Sequence, residues 1–290
     1  MQDDIEKDIE TLNQTRSDED QLDIYRSGLK IYTTINAKMQ RYAEESIQEH
    51  MEDQQKKFNS YWGKRNPWVN EDGKEIKNFI FDVAKRTQRY QELKSIYGDD
   101  QTAINRAMNT RVPMRVFSWT GEKDTLMTPI DSIKYYKRFL NTGFMAMDPT
   151  NGHVKAWIGG INYKYFKFDH ISQSRRQPGS TFKPFVYGAA IENEIITPCD
   201  ELVDEPVTFG EEDGLTGSTW TPQNSDGKFS YESLKMRRAM GLSINSISAK
   251  LMKQLGPSKI AEFAHKCGIT SPLNEVPSLC LGASEVSLLD

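Results

Sequence analysis

The order of strand and helix patterns after Gly143 most constrains what this chain can fold into. The apolar run 144–147 leads through the turn sequence Asp148-Pro-Thr-Asn-Gly152 into a second run, 153–158, which predicts two strands joined by a tight turn. Helical patterns come next, at residues 182–194, 231–255 and 257–267. Strands in front of helices predict an α+β fold. A solenoid is excluded because the sequence contains no internal repeat.

The first 51 residues divide into two regions. Residues 1–21 are almost all polar, which predicts a solvated lead-in with structure beginning near Leu22. In residues 22–51, the β-branched and alternating run 29–35 predicts a strand, and the apolar spacing that follows Asn36 predicts a helix. We therefore expect a polar segment followed by an entry strand and helix.

Residues 52–140 differ in composition, with Lys, Gln and Asn interleaved with aromatic residues. Helical spacing at 81–96, strand character at 114–119 and a helical pattern at 129–140 predict an inserted module of mixed helix and strand. Its aromatic residues favour burial in a small core over stacking on carbohydrate. Residues 141–290 are predicted to form the following domain, which carries the motifs described below.

The charge and hydropathy of the chain exclude several classes of protein. The net charge is −4 and basic clusters such as Arg175-Arg176 are short, so we expect no binding of nucleic acid. No apolar run reaches the ~18 residues of a membrane span, and the sequence from Met1 lacks the basic and apolar regions of a signal peptide. We therefore expect neither an export signal nor an anchor within this chain.

Cysteine and histidine residues give no indication of a metal site. Cys199, Cys267 and Cys280 form no C-x-x-C pair, and the four histidines do not cluster with them. We therefore predict no metal ion and no cofactor. Two interpretations of the cysteines stay open, namely buried free thiols or a Cys267–Cys280 disulfide in a protein that works outside the cytoplasm.

The pattern Ser-x-x-Lys occurs three times, in Ser180-Thr-Phe-Lys183, Ser27-Gly-Leu-Lys30 and Ser225-Asp-Gly-Lys228. At a helix start it places a hydroxyl and an amine on one face, where a lysine with a lowered pKa can deprotonate the serine. Only Ser180 opens a predicted helix, after Pro178-Gly179. The other two patterns contain glycine, and Ser27 leads into a predicted strand, where positions three apart face opposite sides. Ser180 is therefore the candidate nucleophile, with a plain helix cap as the alternative.

A second candidate motif, Ser243-Ile-Asn245, lies at a break near Gly241 between two helical patterns. A hydroxyl and a carboxamide two residues apart in a short turn can both face a cleft, where one relays a proton and the other binds an amide. The alternative is that Ser243 only caps the next helix. In combination with Ser180 and Lys183, the motif favours a catalytic site.

These motifs resemble those of the class A penicillin-binding proteins. The stretch Arg176-Gln-Pro-Gly-Ser-Thr-Phe-Lys-Pro-Phe185 is similar to the segment that carries their nucleophile. Further similar segments follow the order of the family, at residues 28–36, 143–160, 220–224, 242–245 and 281–286. The resemblance covers residues 28–50 and 141–290.

The resemblance implies the transpeptidase fold shared by penicillin-binding proteins and serine β-lactamases, and a role for each motif residue. Ser180 is implied as the acyl-forming nucleophile and Lys183 as its general base. Ser243 is implied as a proton shuttle to the leaving amine, and Asn245 as a hydrogen-bonding anchor. The backbone N–H of Ser180 is implied as one of the donors to the oxyanion.

The same resemblance implies a peptidoglycan D,D-transpeptidase that cross-links stem peptides ending in D-Ala-D-Ala and is acylated by β-lactam antibiotics. It places the enzyme in the periplasm or elsewhere outside the cytoplasm, in a membrane-anchored parent protein that also carries a glycosyltransferase domain. Docking of other cell-wall proteins by residues 52–140 is a further hypothesis.

The sequence departs from the family at the third motif. No Lys-Thr-Gly or Lys-Ser-Gly follows Ser243 before Asp290, and Arg26-Ser-Gly28 lies in the wrong order to replace it. We therefore expect part of a longer enzyme, with an inert fragment or a β-lactam-sensing module as the alternative. A serine β-lactamase is disfavoured, because neither a tyrosine form of the second motif nor a positioned glutamate for deacylation is recognisable.

Overall fold

The structure is a computed structural model that describes residues 2–17 and 20–290. Its first element is helix α1, Gln2–Asn13, which lies within the predicted lead-in. The prediction that structure begins near Leu22 is therefore wrong. The physical reason is that Ile5, Ile9 and Leu12 recur at helical spacing among the polar residues, and Ile9 is buried.

Helix α2, Ala37–Trp62, confirms the helix predicted after Asn36. The Asn36 side chain caps it by accepting two N–H bonds from the first turn. The boundary predicted between residues 51 and 52 falls inside this helix and is wrong as a structural boundary. Met51 and Gln55 are buried on the inner face, so the polar composition beyond residue 51 marks an exposed face rather than a helix end.

Residues 29–35 form irregular chain rather than the predicted strand. Thr34 Oγ1 donates to Val154 O at 2.7 Å, and the N–H of Asn36 donates to Lys155 O at 2.9 Å. A ladder needs repeated backbone bonds from both chains. The segment therefore lies along the strand that contains Val154 without joining a sheet.

The predicted module contains helices and one pair of strands. They are helices α3 (Phe79–Lys85), α4 (Gln88–Tyr97) and α5 (Gln101–Met108), strands β1 (Val112–Val116) and β2 (Lys123–Met127), and helix α6 (Pro129–Lys137). The helix predicted over 81–96 is two helices, because Thr87 caps the second by accepting from the N–H of Tyr90. The buried ring of Phe117 lies at the centre of an aromatic cluster with Trp119, Phe139, Tyr165 and Phe166.

The predicted hairpin is confirmed. Strand β3, Phe144–Met147, pairs antiparallel with β4, Val154–Ile158. Helix α2 packs on β4, and its Gln40 side chain bonds both backbone groups of Trp157, at 2.8 and 3.1 Å. The hairpin is thereby fixed to α2.

The following elements lie around the candidate site. They are β5 (Arg175–Arg176), a 3-10 turn (Gly179–Phe182), α7 (Lys183–Glu192), β6 (Glu201–Val203), β7 (Ser233–Lys235), α8 (Met236–Gly241), α9 (Asn245–Leu255), α10 (Pro257–Lys266), a 3-10 turn (Pro277–Leu281) and β8 (Val286–Ser287). Strand β5 pairs with β8, and β6 with β7. The helices predicted at 182–194 and 257–267 are confirmed, as is the break near Gly241. Strand β7 was missed inside the segment predicted as helical, because three residues are too few to show alternation.

The main core lies between helices α7, α9 and α10. Val186 from α7, Ile247 and Leu251 from α9, and Ile260 from α10 are each fully buried there. Helix α7 begins at Lys183 and α9 at Asn245, so this packing fixes the relative positions of the two helix starts that carry the predicted motifs.

The cysteines are free thiols, and the alternative Cys267–Cys280 disulfide is not formed. Cys267 is exposed, whereas Cys280 is buried in the second 3-10 turn. Burial raises the pKa of the Cys280 thiol to about 12, so it remains protonated and behaves as a small apolar residue.

Candidate active site

The predicted nucleophile segment turns sharply before helix α7. Gly179 has φ +59°, in the left-handed region that favours glycine, and it begins the 3-10 turn that carries Ser180. Side chains three residues apart eclipse in a 3-10 turn, so Ser180 and Lys183 share one face. Ser180 is exposed, whereas Lys183 is only 2% exposed. The hydroxyl is accessible and the amine is covered.

The Lys183 amine contacts both residues of the second motif. Its Nζ donates to Ser243 O at 2.6 Å, to Ser243 Oγ at 3.0 Å and to Asn245 Oδ1 at 2.6 Å. Among the described residues, no hydrogen bond links the Lys183 amine to the Ser180 hydroxyl; the two residues are joined through the turn, in which the backbone N–H of Lys183 donates to Ser180 O. Two motifs 60 residues apart in the sequence therefore meet at one amine.

Burial lowers the pKa of Lys183 below its ordinary value. Its three partners are neutral oxygens, and only one of them can also donate: the carbonyl of Ser243 and the carboxamide oxygen of Asn245 accept, whereas the Ser243 hydroxyl does either. A neutral Lys183 has two N–H groups and one lone pair. With the two acceptor-only oxygens bonded, the lone pair is left to take a proton, and the Ser243 hydroxyl lies 3.0 Å from the amine, close enough to exchange one.

Ser243 has a backbone conformation that is rare for its residue type. Its φ is +57°, in the left-handed region, and such a conformation persists only where neighbouring contacts hold it. It lets the carbonyl and hydroxyl of one residue both reach Lys183. Ile244 occupies the N-cap position of α9, without a side-chain cap. The alternative that Ser243 caps the next helix is therefore wrong.

Two earlier residues, Gln223 and Asn224, fix the orientation of Asn245 through hydrogen bonds. Its Nδ2 donates to Gln223 O at 2.7 Å, which turns its Oδ1 toward Lys183. Its backbone N–H donates to Asn224 Oδ1 at 3.0 Å. The carboxamide orientation thus follows from donor and acceptor chemistry.

The nucleophile turn is supported by the segment that follows the second 3-10 turn. The N–H of Gly179 donates to Gly282 O at 3.3 Å, and a Cβ at Gly282 would lie 2.2 Å from Gly179 O. The pairing of β5, just before the turn, with β8 also supports this segment.

The backbone N–H of Ser180 has no acceptor among the described residues, as an oxyanion donor requires.

The two competing Ser-x-x-Lys patterns lie on the surface. Ser27 Oγ accepts from the N–H of Asp23 at 2.8 Å in a turn, and Lys30 is exposed. Ser225 and Lys228 are both exposed in a loop. Neither lysine is buried. The alternative that Ser180 is a plain helix cap is also wrong, because no side-chain cap is formed at the starts of its 3-10 turn and α7.

Three supporting residues were not found from the sequence. Asp204, Asn224 and Gly282 all act on the motifs through long-range contacts. Asn224 and Gly282 belong to segments similar to the penicillin-binding proteins, which was the available signal. Asp204 carried no signal, because a single acidic residue before a proline-containing loop has no distinctive spacing.

Comparison with known proteins identifies the class to which this fold and site belong. Residues 63–140 match the family model of the penicillin-binding protein middle domain, and residues 142–276 match that of the penicillin binding protein transpeptidase domain. The chain belongs to the penicillin-binding protein family, and the predicted α+β transpeptidase fold is confirmed.

Individual relatives agree with this assignment. Penicillin-binding protein 1A of Rickettsia felis is 30% identical over 92% of this chain and 35% of its own length. Penicillin-binding protein 2D of Bacillus subtilis is 35% identical over 51% of the chain and 21% of its own length. The crystal structure of penicillin-binding protein 1A from Haemophilus influenzae shares the fold, with a TM-score of 0.54 at 21% identity, covering 90% of this chain and 40% of that one. The chain thus spans about a third of the first relative's length.

Proposed function

We propose that the protein is a serine D,D-transpeptidase of the class A penicillin-binding type, which cross-links the stem peptides of peptidoglycan. One observation carries the proposal. Lys183 is buried and bonded to Ser243 and Asn245, one turn after an exposed Ser180. An accessible hydroxyl one turn before a lysine with a lowered pKa is an arrangement that suits acyl transfer through serine.

In the acylation step, Ser180 Oγ attacks the carbonyl of the penultimate D-alanine of a donor peptide. Neutral Lys183 takes the hydroxyl proton as the Oγ–C bond forms, and the Ser180 N–H stabilises the oxyanion. Ser243 passes a proton to the amine of the terminal D-alanine as the C–N bond breaks, and Lys183 returns the proton to Ser243. Asn245 holds the amine of Lys183 in place and hydrogen-bonds the donor peptide.

In the second half of the reaction, the amine of a neighbouring stem peptide attacks the acyl-enzyme. Its proton passes through Ser243 to Lys183 and then to the departing Ser180 Oγ, which restores the starting state. A β-lactam acylates the same serine, but its ring opens without losing a leaving group, so the ester stays in the site and blocks the acceptor.

Penicillin labelling tests this proposal in the full natural protein. We expect a stable fluorescent penicillin adduct that is absent from Ser180→Ala and unchanged in Ser225→Ala, a matched control in the exposed Ser-x-x-Lys pattern. Rapid turnover of a chromogenic cephalosporin would instead indicate a β-lactamase. A folded protein without any adduct would favour an inert or non-catalytic module.

The site of action is part of the same proposal. Stem peptides lie outside the cytoplasm, so the enzyme acts there, in a parent protein held at the membrane. None of the described helices combines the length and the apolar character needed to cross a membrane. Residues 52–140 are proposed to dock other cell-wall proteins; unchanged binding of such partners after deletion of residues 63–140 would contradict this role.

A further inference from the structure

Helix α9, which begins at Asn245, takes its N-terminal cap from a distant segment. Ile244 provides no side-chain cap. Instead, Asn224 Oδ1 accepts from the N–H of Asn245 at 3.0 Å and from the N–H of Ser246 at 3.2 Å. The first N–H groups of a helix lack partners within the helix, and here one carboxamide oxygen binds two of them.

The orientation of Asn224 is determined by two groups that can only accept. Its Nδ2 donates to Asp204 Oδ1 at 2.8 Å and to Lys228 O at 2.9 Å. Both N–H bonds of the amide are therefore used, and its oxygen must face α9. Asn224 is 7% exposed and Asp204 is 2% exposed, so water does not compete for these bonds.

Asp204 is a buried carboxylate surrounded by neutral donors. Besides Asn224, it accepts from Ser246 Oγ at 2.6 Å and from the N–H and Oγ of Ser230 at 2.8 and 2.9 Å. No cation pairs with it among the described side chains. Burial acts to raise the pKa of Asp204, but the hydrogen bonds from Ser246, Ser230 and Asn224 outweigh it and hold that pKa below its ordinary value. The carboxylate is therefore ionised, beside a helix N-terminus that favours negative charge.

We propose that Asp204 and Asn224 are positioning residues for catalysis. Asp204 fixes the direction of the Asn224 carboxamide, Asn224 fixes the start of α9, and the start of α9 places Asn245 Oδ1 at 2.6 Å from the Lys183 amine. Neither residue touches the Lys183 amine or the Ser180 hydroxyl. The inference rests on the proposed function, because it assigns these residues to the acylation of Ser180.

Asp204→Asn is the direct test, because it keeps the shape of the side chain and removes its acceptor-only character. An amide at position 204 can present its own NH₂ group to Asn224. The Asn224 carboxamide can then turn over, and its oxygen is no longer required to face α9. In the full natural protein, we expect the rate constant of acylation by penicillin to fall about 10- to 100-fold. Penicillin affinity before acylation and the fraction of protein that finally acylates should stay near those of the unchanged protein.

A matched control is Asp213→Asn, which changes a carboxylate outside α9 that bonds to the other end of that helix. Asp213 Oδ2 accepts from the amine of Lys253, near the end of α9, at 3.1 Å. This variant should acylate within about twofold of the unchanged protein. A variant with both Asp204→Asn and Asn224→Asp restores a donor facing an acceptor and should recover part of the rate that Asp204→Asn loses. Failure to recover any of it would contradict the role of bond direction.

Two results would overturn the proposal. One is acylation of Asp204→Asn at the original rate. The other is a smaller acylatable fraction that reacts at the original rate, which would mean that Asp204 only maintains folding. Hydrogen exchange gives a readout that needs no acylation: the N–H groups of Asn245 and Ser246 should lose protection in Asp204→Asn and keep it in Asp213→Asn. If the unchanged protein is not acylated, the proposed function fails, and exchange still decides whether Asp204 holds α9.

Discussion

The amine of Lys183 is removed from water and surrounded by oxygens that carry no net charge. Burial favours its neutral form, and the three short hydrogen bonds limit where its lone pair can face. The nearby thiol of Cys280 is buried and protonated, so it supplies no fixed negative charge to hold the lysine in its ammonium form. Lys183 thus combines two properties of a general base: its pKa is lowered, and hydrogen bonds fix the position of its amine.

The pH dependence of acylation follows from this lowered pKa. The neutral amine is the active form, so acylation should rise with pH and level off, with its midpoint below the ordinary lysine value of about 10.4. Lys183→Arg, which stays protonated, should slow acylation at least about 100-fold. Stopped-flow acylation measured between pH 5 and 10 checks both statements. A rate independent of pH, or an active Lys183→Arg, would contradict the assignment of Lys183 as base.

Ser243 can be separated from Lys183 by the same measurement. Of the three partners of the amine among the described residues, Ser243→Ala removes the one that can both donate and accept, while the backbone carbonyl of residue 243 remains to hold the lysine. We expect acylation to slow by about 10²- to 10⁴-fold, the usual contribution of a positioned proton donor. Acylation of Ser243→Ala at the original rate would exclude a proton shuttle at this position.

Among the elements, the two 3-10 turns approach each other closely at Gly179 and Gly282, next to the nucleophile. Gly282 has φ +69°, and an added Cβ would meet the backbone oxygen of Gly179. Gly282→Ala should therefore displace the 3-10 turn that carries Ser180 and lower both the acylation rate and the melting temperature. Gly214→Ala, where φ is +85° and an added Cβ meets nothing within 4 Å, is the matched control. Equal behaviour of the two variants would show that the contact has no role.

Helix α9 links the core to the site, so its packing can be tested apart from its chemistry. Leu251 is fully buried, whereas Gln254 on the same helix is exposed. Leu251→Ala should reduce the free energy of unfolding by about 2–5 kcal/mol, and Gln254→Ala by less than about 0.5 kcal/mol. Denaturant unfolding measures both; a small loss for Leu251→Ala would place the core elsewhere.

The sequence predicted those elements whose residues repeat a pattern over several turns. The hairpin of β3 and β4, the helices after Ser180 and Pro257, and the cap at Asn36 all rest on local spacing or side-chain chemistry. Helix α1 was missed because few apolar residues mark its face, and β7 because it has only three residues.

The sequence predicted the motif residues of the candidate site but not the residues that hold them in position. Lys183 meets Ser243 across 60 residues, and Ser246 meets Asp204 across 42. Such contacts depend on how helices pack, which no local pattern reveals. The spacing of the two motifs indicated the four motif residues, and the family resemblance implied their roles; Asp204 and Asn224 became visible only as hydrogen-bond partners.

At the scale of the whole molecule, helix α2 connects the two regions matched by family models. Gln40 bonds both backbone groups of Trp157 in the hairpin. Gln55 accepts from the N–H of Leu140 at 2.8 Å and donates to Arg138 O at 2.9 Å, at the end of the middle domain match. One continuous helix therefore carries a hydrogen-bonding glutamine for each region.

Acylation of Ser180 can be observed by peptide mapping with mass spectrometry. After reaction of the full natural protein with penicillin, we expect one penicilloyl adduct, on Ser180, which is lost in Lys183→Ala although that variant remains folded. An adduct on Ser27 or Ser225, or a folded and unmodified protein, would contradict it.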